Sequence, residues 1–157
     1  MRLGLGLVAF LFACHATTTR PTFGPVTGAP QTEIELKVPA ATRLLADRLI
    51  ADSIPVTRIE PRDGFLETPW FDTASGRPTG RRRLGPGVVR LRAWVDPTQP
   101  GHSQLTVETL FRPLADPSLP ERELDRQVSP THPTASKVKD VLESLTREYG
   151  DSTASKL

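Results

Sequence analysis

Few residues in this chain could do chemistry, and their spacing limits what that chemistry could be. His15, His102 and His132 lie far apart, each without a second ligand at helical or strand spacing. A metal site needs three or four convergent ligands, so no metal is expected. His102 and Ser103 are adjacent, and neighbouring strand residues face opposite ways, which keeps them from acting as base and nucleophile. No pair of carboxylates stands out as acid and base. Gly76, Gly80, Gly85 and Gly87 are followed by neither Lys-Ser/Thr nor a helix start, so they do not form a phosphate-binding loop. Neither a cofactor nor an enzymatic activity is expected.

Two features remain. Arg77, Arg81, Arg82, Arg83, Arg90 and Arg92 place six guanidinium groups within sixteen residues with no acid among them, and Trp94 shares the strand face of the last two. Guanidinium forks hold phosphate and carboxylate bidentately, which makes this stretch a candidate contact for an anionic group. The plainer alternative is a solvated basic loop. The formal charge is only +2 over 157 residues, so the chain does not read as a nucleic-acid binder. Sixteen arginines against four lysines, with no asparagine at all, are the usage of a GC-rich genome.

The second feature is the single cysteine, Cys14. Arg2 precedes a continuous apolar run from Leu3 to Phe12, then Ala13 and Cys14, the layout of a secretory signal peptide. A membrane-spanning helix needs roughly 20 apolar residues, and this run is too short. A lone thiol in an oxidising compartment cannot form an internal disulfide, and acylation would consume it. The ending Leu11-Phe12-Ala13-Cys14 resembles the lipobox of bacterial lipoproteins, with Phe12 departing from the small or β-branched residue usual there. The resemblance implies that Cys14 is lipidated and becomes the first residue of the mature protein. His15, standing where an inner-membrane retention signal would usually be Asp, implies the outer membrane.

The remaining chain is long enough for one domain. Residues 1–13 read as signal peptide and 14–31 as a flexible linker, because Thr17-Thr18-Thr19, Pro21, Gly24-Pro25, Gly28 and Pro30 offer little apolar surface to offset ordering. Residues 32–150 read as a single α+β domain and 151–157 as a disordered tail. Ile34, Leu36 and Val38 alternate with Glu33, Glu35 and Lys37, a strand with one solvated face. Pro39 ends it and opens a helix over 40–53 with Ala41, Leu45 and Leu49 on one side. A strand over 55–60 leads through Pro61-Arg62-Asp63-Gly64, a tight turn, into a strand over 65–71 that Pro69 weakens. After an Arg-rich loop, Val88–Asp96 and His102–Pro113 form a hairpin across a turn, with Val89, Leu91, Ala93, Val95, Leu105, Val107, Thr109 and Phe111 inward, and Gln104, Thr106, Glu108 and Leu110 outward. A short helix fits 121–127. Thr134 or Ser136 would cap a final helix carrying Val138, Val141, Leu142, Leu145 and Tyr149, with Gly150 as its stop.

The expected architecture is therefore α+β: an antiparallel sheet of about five strands with two helices packed on one face, in the order β-α-β-β-β-β-α. This order, with an amphipathic first helix and Gly64-Phe65-Leu66-Glu67-Thr68-Pro69-Trp70 as a Gly-x-x-x-Thr-x-Trp strand, resembles the helix-grip domains of BamC-like bacterial lipoproteins, accessory components of the outer-membrane protein assembly machinery. That family carries two such domains, and this chain has room for one. The resemblance implies a non-catalytic binding or accessory role at the outer membrane, with the domain in the periplasm and another envelope protein as partner. An alternative is a carrier in which Phe65, Trp70 and Phe111 line a cavity for a small apolar ligand beneath the last helix; the plainer reading of the same aromatic residues is ordinary core.

Overall fold

Two long strands form the spine of the molecule. In a computed structural model, which describes residues 18–79 and 84–150, β5 (Val88–Pro97) and β6 (Ser103–Phe111) pair antiparallel with Ala93 opposite Val107 and Arg92 opposite Glu108. The elements before them are β1 (Gln31–Ile34), α1 (Val38–Ala51), β2 (Arg58–Glu60), β3 (Phe65–Glu67) and β4 (Phe71–Asp72); those after are α2 (Glu121–Leu124), β7 (Arg126–Gln127) and α3 (Pro133–Tyr149). The sheet runs β1-β6-β5-β3-β2, entirely antiparallel, with β4 on β5 and β7 on β6. The fold is α+β, as expected. The additional strands, β4 and β7, are two residues each, and the short helix expected over 121–127 is the single turn of α2, with β7 taking its last two positions.

One sheet face carries the main core. Ile34, Leu66, Val89, Leu91, Ala93, Val95, Leu105 and Val107 meet Ala41, Leu45, Ala46 and Leu49 of α1 and Val138, Val141, Leu142 and Leu145 of α3. The period-2 stripe on the strands and the 3.6-period stripes on the helices come together because each is the only apolar surface that can bury the other. Both helices begin with Pro in the first turn, where the missing N–H has no intrahelical partner. The cap of α3 differs from expectation. It is His132, whose Nδ1 accepts from the Thr134 amide at 3.2 Å, while Nε2 lies 3.0 Å from the Pro86 carbonyl. Thr134 itself is buried, and the side chain that caps is the one before Pro133. At the far end the Tyr149 carbonyl accepts from the Glu35 amide at 2.7 Å, tying the helix to the end of β1.

The strand expected over 65–71 is divided by Pro69, which has no ladder donor. Thr68 bridges the break: its amide donates to the Leu91 carbonyl at 3.0 Å and its hydroxyl accepts from the Leu91 amide at 2.9 Å. A side-chain oxygen thus takes the place of a carbonyl in the ladder. The preceding turn depends on Gly64, at φ 62°, whose carbonyl accepts from the Val95 amide at 2.8 Å.

Two expectations about the second face are corrected. Residues 18–30, read from composition as linker, lie across the sheet as an ordered strap. The Thr19 amide and hydroxyl both donate to Asp63 at 2.8 Å, Arg20 pairs with Asp96 at 2.8 Å, the Val26 amide donates to Glu108 at 2.9 Å, and the Pro30 carbonyl accepts from the Val107 amide at 3.0 Å. These bonds need few apolar groups, which is why composition gave no sign of them. The face expected to point outward is accordingly covered: Glu108 and Leu110 are fully buried, with Trp94 and Arg92 nearly so.

Candidate binding surface

The arginines singled out from the sequence separate in the structure. Arg81, Arg82 and Arg83, like Cys14, lie outside the described residues. Arg77 is exposed in the loop after β4, where Asp72 gathers the Ala74 and Ser75 amides at 3.1 and 2.9 Å. Arg90 and Arg92 point to the covered face and meet carboxylates there. Arg92 reaches Glu67 at 2.8 Å and both Glu108 and Asp125 at 3.4 Å; Arg90 lies 3.5 Å from Glu67. The acids missing from the local stretch are supplied by β3, β6 and the C-cap of α2. An external anion would have to displace them, so these two positions are corrected from anion contacts to members of an internal network.

That network continues into the segment after β6. Arg112 pairs with Asp125 at 2.8 Å and Glu121 at 3.2 Å, and Arg122 with Glu108 at 2.9 Å. Aromatic rings lie between the guanidinium groups. Trp70 has Arg90 and Arg112 at 5.0 and 5.1 Å from its ring centre, and Phe23 of the strap has Arg92 and Arg122 at 5.2 and 4.7 Å. Buried charges are tolerated when paired and hydrogen-bonded, and π-faces add attraction for the cations. The arrangement clamps the strap and the 112–127 segment onto the sheet.

The aromatic residues proposed as a cavity lining are also divided. Phe65 packs edge-on against Trp94 at 5.6 Å, on the strap face with Trp70. Phe111 packs on the opposite, helix-facing core. The three do not converge beneath α3, because strand alternation sends Phe65 away from the helices. Among the described residues, no group of three His, Cys, Asp or Glu side chains converges as a metal site. No described helix is long and apolar enough to cross a membrane.

The structure instead brings together residues that sequence reasoning passed over. Leu84, Leu114 and Leu119 are 51, 49 and 43 % exposed. Leu84 and Leu119, with Ala115, Pro117 and the buried Leu124, line an open groove of about 530 Å³ beyond the end of β6. Arg112, Asp116 and Glu121 are its polar members, and Arg112 is already held by Asp125 and Glu121. Asp116 is bonded by the Ser118 hydroxyl and amide, which holds its carboxyl below its ordinary value and keeps it ionised. The groove is an apolar floor with an acidic lip, suited to receiving an apolar side chain without chemistry. Its leucines come from two loops flanking the hairpin, so no periodic pattern announced it.

Compared with known proteins, the chain matches no family model and no curated sequence.

Proposed function

We propose that this protein is an outer-membrane lipoprotein, anchored through lipidated Cys14, whose single α+β domain faces the periplasm and works by binding another envelope protein. Its role on this reading is accessory or structural, in the manner of the outer-membrane protein assembly components that its element order resembles. The groove carries the binding half of the reading: both sheet faces are covered, yet three leucines stay exposed together at one end. Exposed apolar surface gathered in one place marks an interaction site more often than scattered residues do. The apolar run before Cys14 supports the anchored half. A carrier of small apolar ligands gains no support from Phe65, Trp70 and Phe111, which lie on different faces.

Two measurements test this. Labelled palmitate is expected on the wild type and absent from Cys14→Ser; equal label on both sinks the anchor. A photo-crosslinking side chain at Leu119 is expected to trap an envelope protein that the same group at the exposed, distant Arg43 does not trap. Identical patterns from the two positions would remove the groove from the reading.

A further inference from the structure

The strap fixes which end of the domain meets the membrane. Cys14 precedes Thr18, the first described residue, by four positions, and a fully extended chain covers at most about 3.6 Å per residue, a reach of roughly 14 Å. The strap is bonded to the domain from that point on. Thr19 is held by Asp63 in the β2–β3 turn, Arg20 by Asp96 near the end of β5, and Arg58 donates to the Thr19 carbonyl. Asp63 and Asp96 both lie at the end of the sheet where the hairpin turns. Gly150 lies at that end too, since the neighbouring Tyr149 bonds Glu35.

The groove lies at the opposite end, beside Arg112 and before the start of β5. Ten residues of β5 separate the two ends, about 30 Å at the usual rise per strand residue. That is twice the reach of the tether. Of the exposed large apolar side chains, Leu84, Leu114 and Leu119 are at the groove end, while Phe23, Ile50 and Ile59 lie apart on the strap, α1 and β2.

We propose that the hairpin-turn end of the domain is its membrane-facing surface, apposed to lipid headgroups through polar side chains, and that the groove opens away from the bilayer into the aqueous compartment. This rests on lipidation of Cys14. The partner of the groove then approaches from the aqueous side and does not compete with lipid for the leucines.

Because Cys14 is the only cysteine, a lipidated protein carrying Gln99→Cys or Ala115→Cys has one free thiol, at the turn or in the groove. Each full-length variant is labelled with bimane and reconstituted into phosphatidylcholine vesicles containing headgroup-spin-labelled lipid. Quenching several-fold stronger at position 99 than at 115 is expected, and inserting ten Gly/Ser residues between Thr17 and Thr18 is expected to reduce it at position 99. Equal quenching at both positions means the domain lies along the bilayer, and stronger quenching at 115 means it is inverted; either overturns the proposal. Vesicle flotation is the separate control: protein that fails to float with lipid removes the anchor itself, and the orientation with it.

Discussion

Arg122 places its two terminal nitrogens on the two carboxylate oxygens of Glu108, at 2.9 and 3.1 Å. Glu108 is fully buried on β6, whereas Arg122 comes from α2 in the covering segment and is 24 % exposed. The same carboxylate accepts the Val26 amide of the strap and lies opposite Arg92 on β5. Sheet, strap and covering segment therefore meet at one side chain. This is the chemistry expected of a clasp: a bidentate, charge-assisted pair has directional preference that apolar packing lacks.

Removing the outer member should therefore do at least as much harm as removing the buried one. Glu108→Ala leaves Arg92 with Glu67 and Asp125 and Arg122 partly in solvent. Arg122→Met leaves the fully buried Glu108 carboxylate with the Val26 amide and Arg92 at 3.4 Å but without its fork, and stranding a buried charge in this way costs about 3–5 kcal/mol. Urea unfolding of both variants checks the order; a loss below about 1 kcal/mol for Arg122→Met, the range of an exposed pair, would mean that Glu108 is not held through Arg122.

Gly64 is required by its backbone and by its surroundings. At φ 62° a side chain is already strained, and an added Cβ would lie 2.1 Å from the Val95 carbonyl oxygen. Gly64→Ala is expected to destabilise the domain by more than about 1 kcal/mol. Gly101→Ala serves as comparison: it shares the positive φ but has open space around its Cβ, so thermal melting should fall further for the Gly64 variant.

The helix-facing half of the molecule was legible in the sequence because periodicity reports burial against one partner. Val89, Leu91, Ala93 and Val95 alternate strictly, and Val138, Val141, Leu142 and Leu145 follow the helical period, so both stripes and their pairing could be read directly. The strap face was illegible for the opposite reason. Its residues are charged or aromatic, and charge along one strand looks solvated until the partner strand's charge is considered. A signal was nevertheless present: Arg92 and Glu108 stand equally far from the hairpin turn and so must face each other. No such signal existed for the groove, whose leucines are brought together by loops.

Asp63 links the strap to acidity. Its carboxyl is held below its ordinary value of 3.8 by the Thr19 amide, then by the Thr19 hydroxyl, with Arg20 adding a favourable charge. A carboxylate with a lowered folded value contributes stability that is fully present above 3.8 and is lost as pH falls through the lower folded value. The Thr19 amide resonance in the full chain carrying Cys14→Ser should titrate with a midpoint below 3.8 and should cease to titrate in Asp63→Asn. A midpoint at or above 3.8 would contradict the bonding at this end of the strap.

The last prediction concerns α3, which decides whether the domain is one cooperative unit. Some twenty residues of proline-rich chain separate it from β6, and an isolated helix of its length is marginal in water, so its order must come from docking. Leu142 is 4 % exposed and Leu145 fully buried, in the same core as Val89, Leu91, Leu105 and Val107. Truncating a packed leucine typically costs about 2–5 kcal/mol, a large share of the roughly 5–15 kcal/mol that holds a small domain together. Leu142→Ala is therefore expected to lower the midpoint of a single urea transition, with fluorescence of Trp70 and Trp94, on the other face of the sheet, changing together with helical circular dichroism. If the tryptophan signal keeps its wild-type midpoint while helicity is lost earlier, α3 is an independent arm, and the clamped strap face holds the sheet together without it.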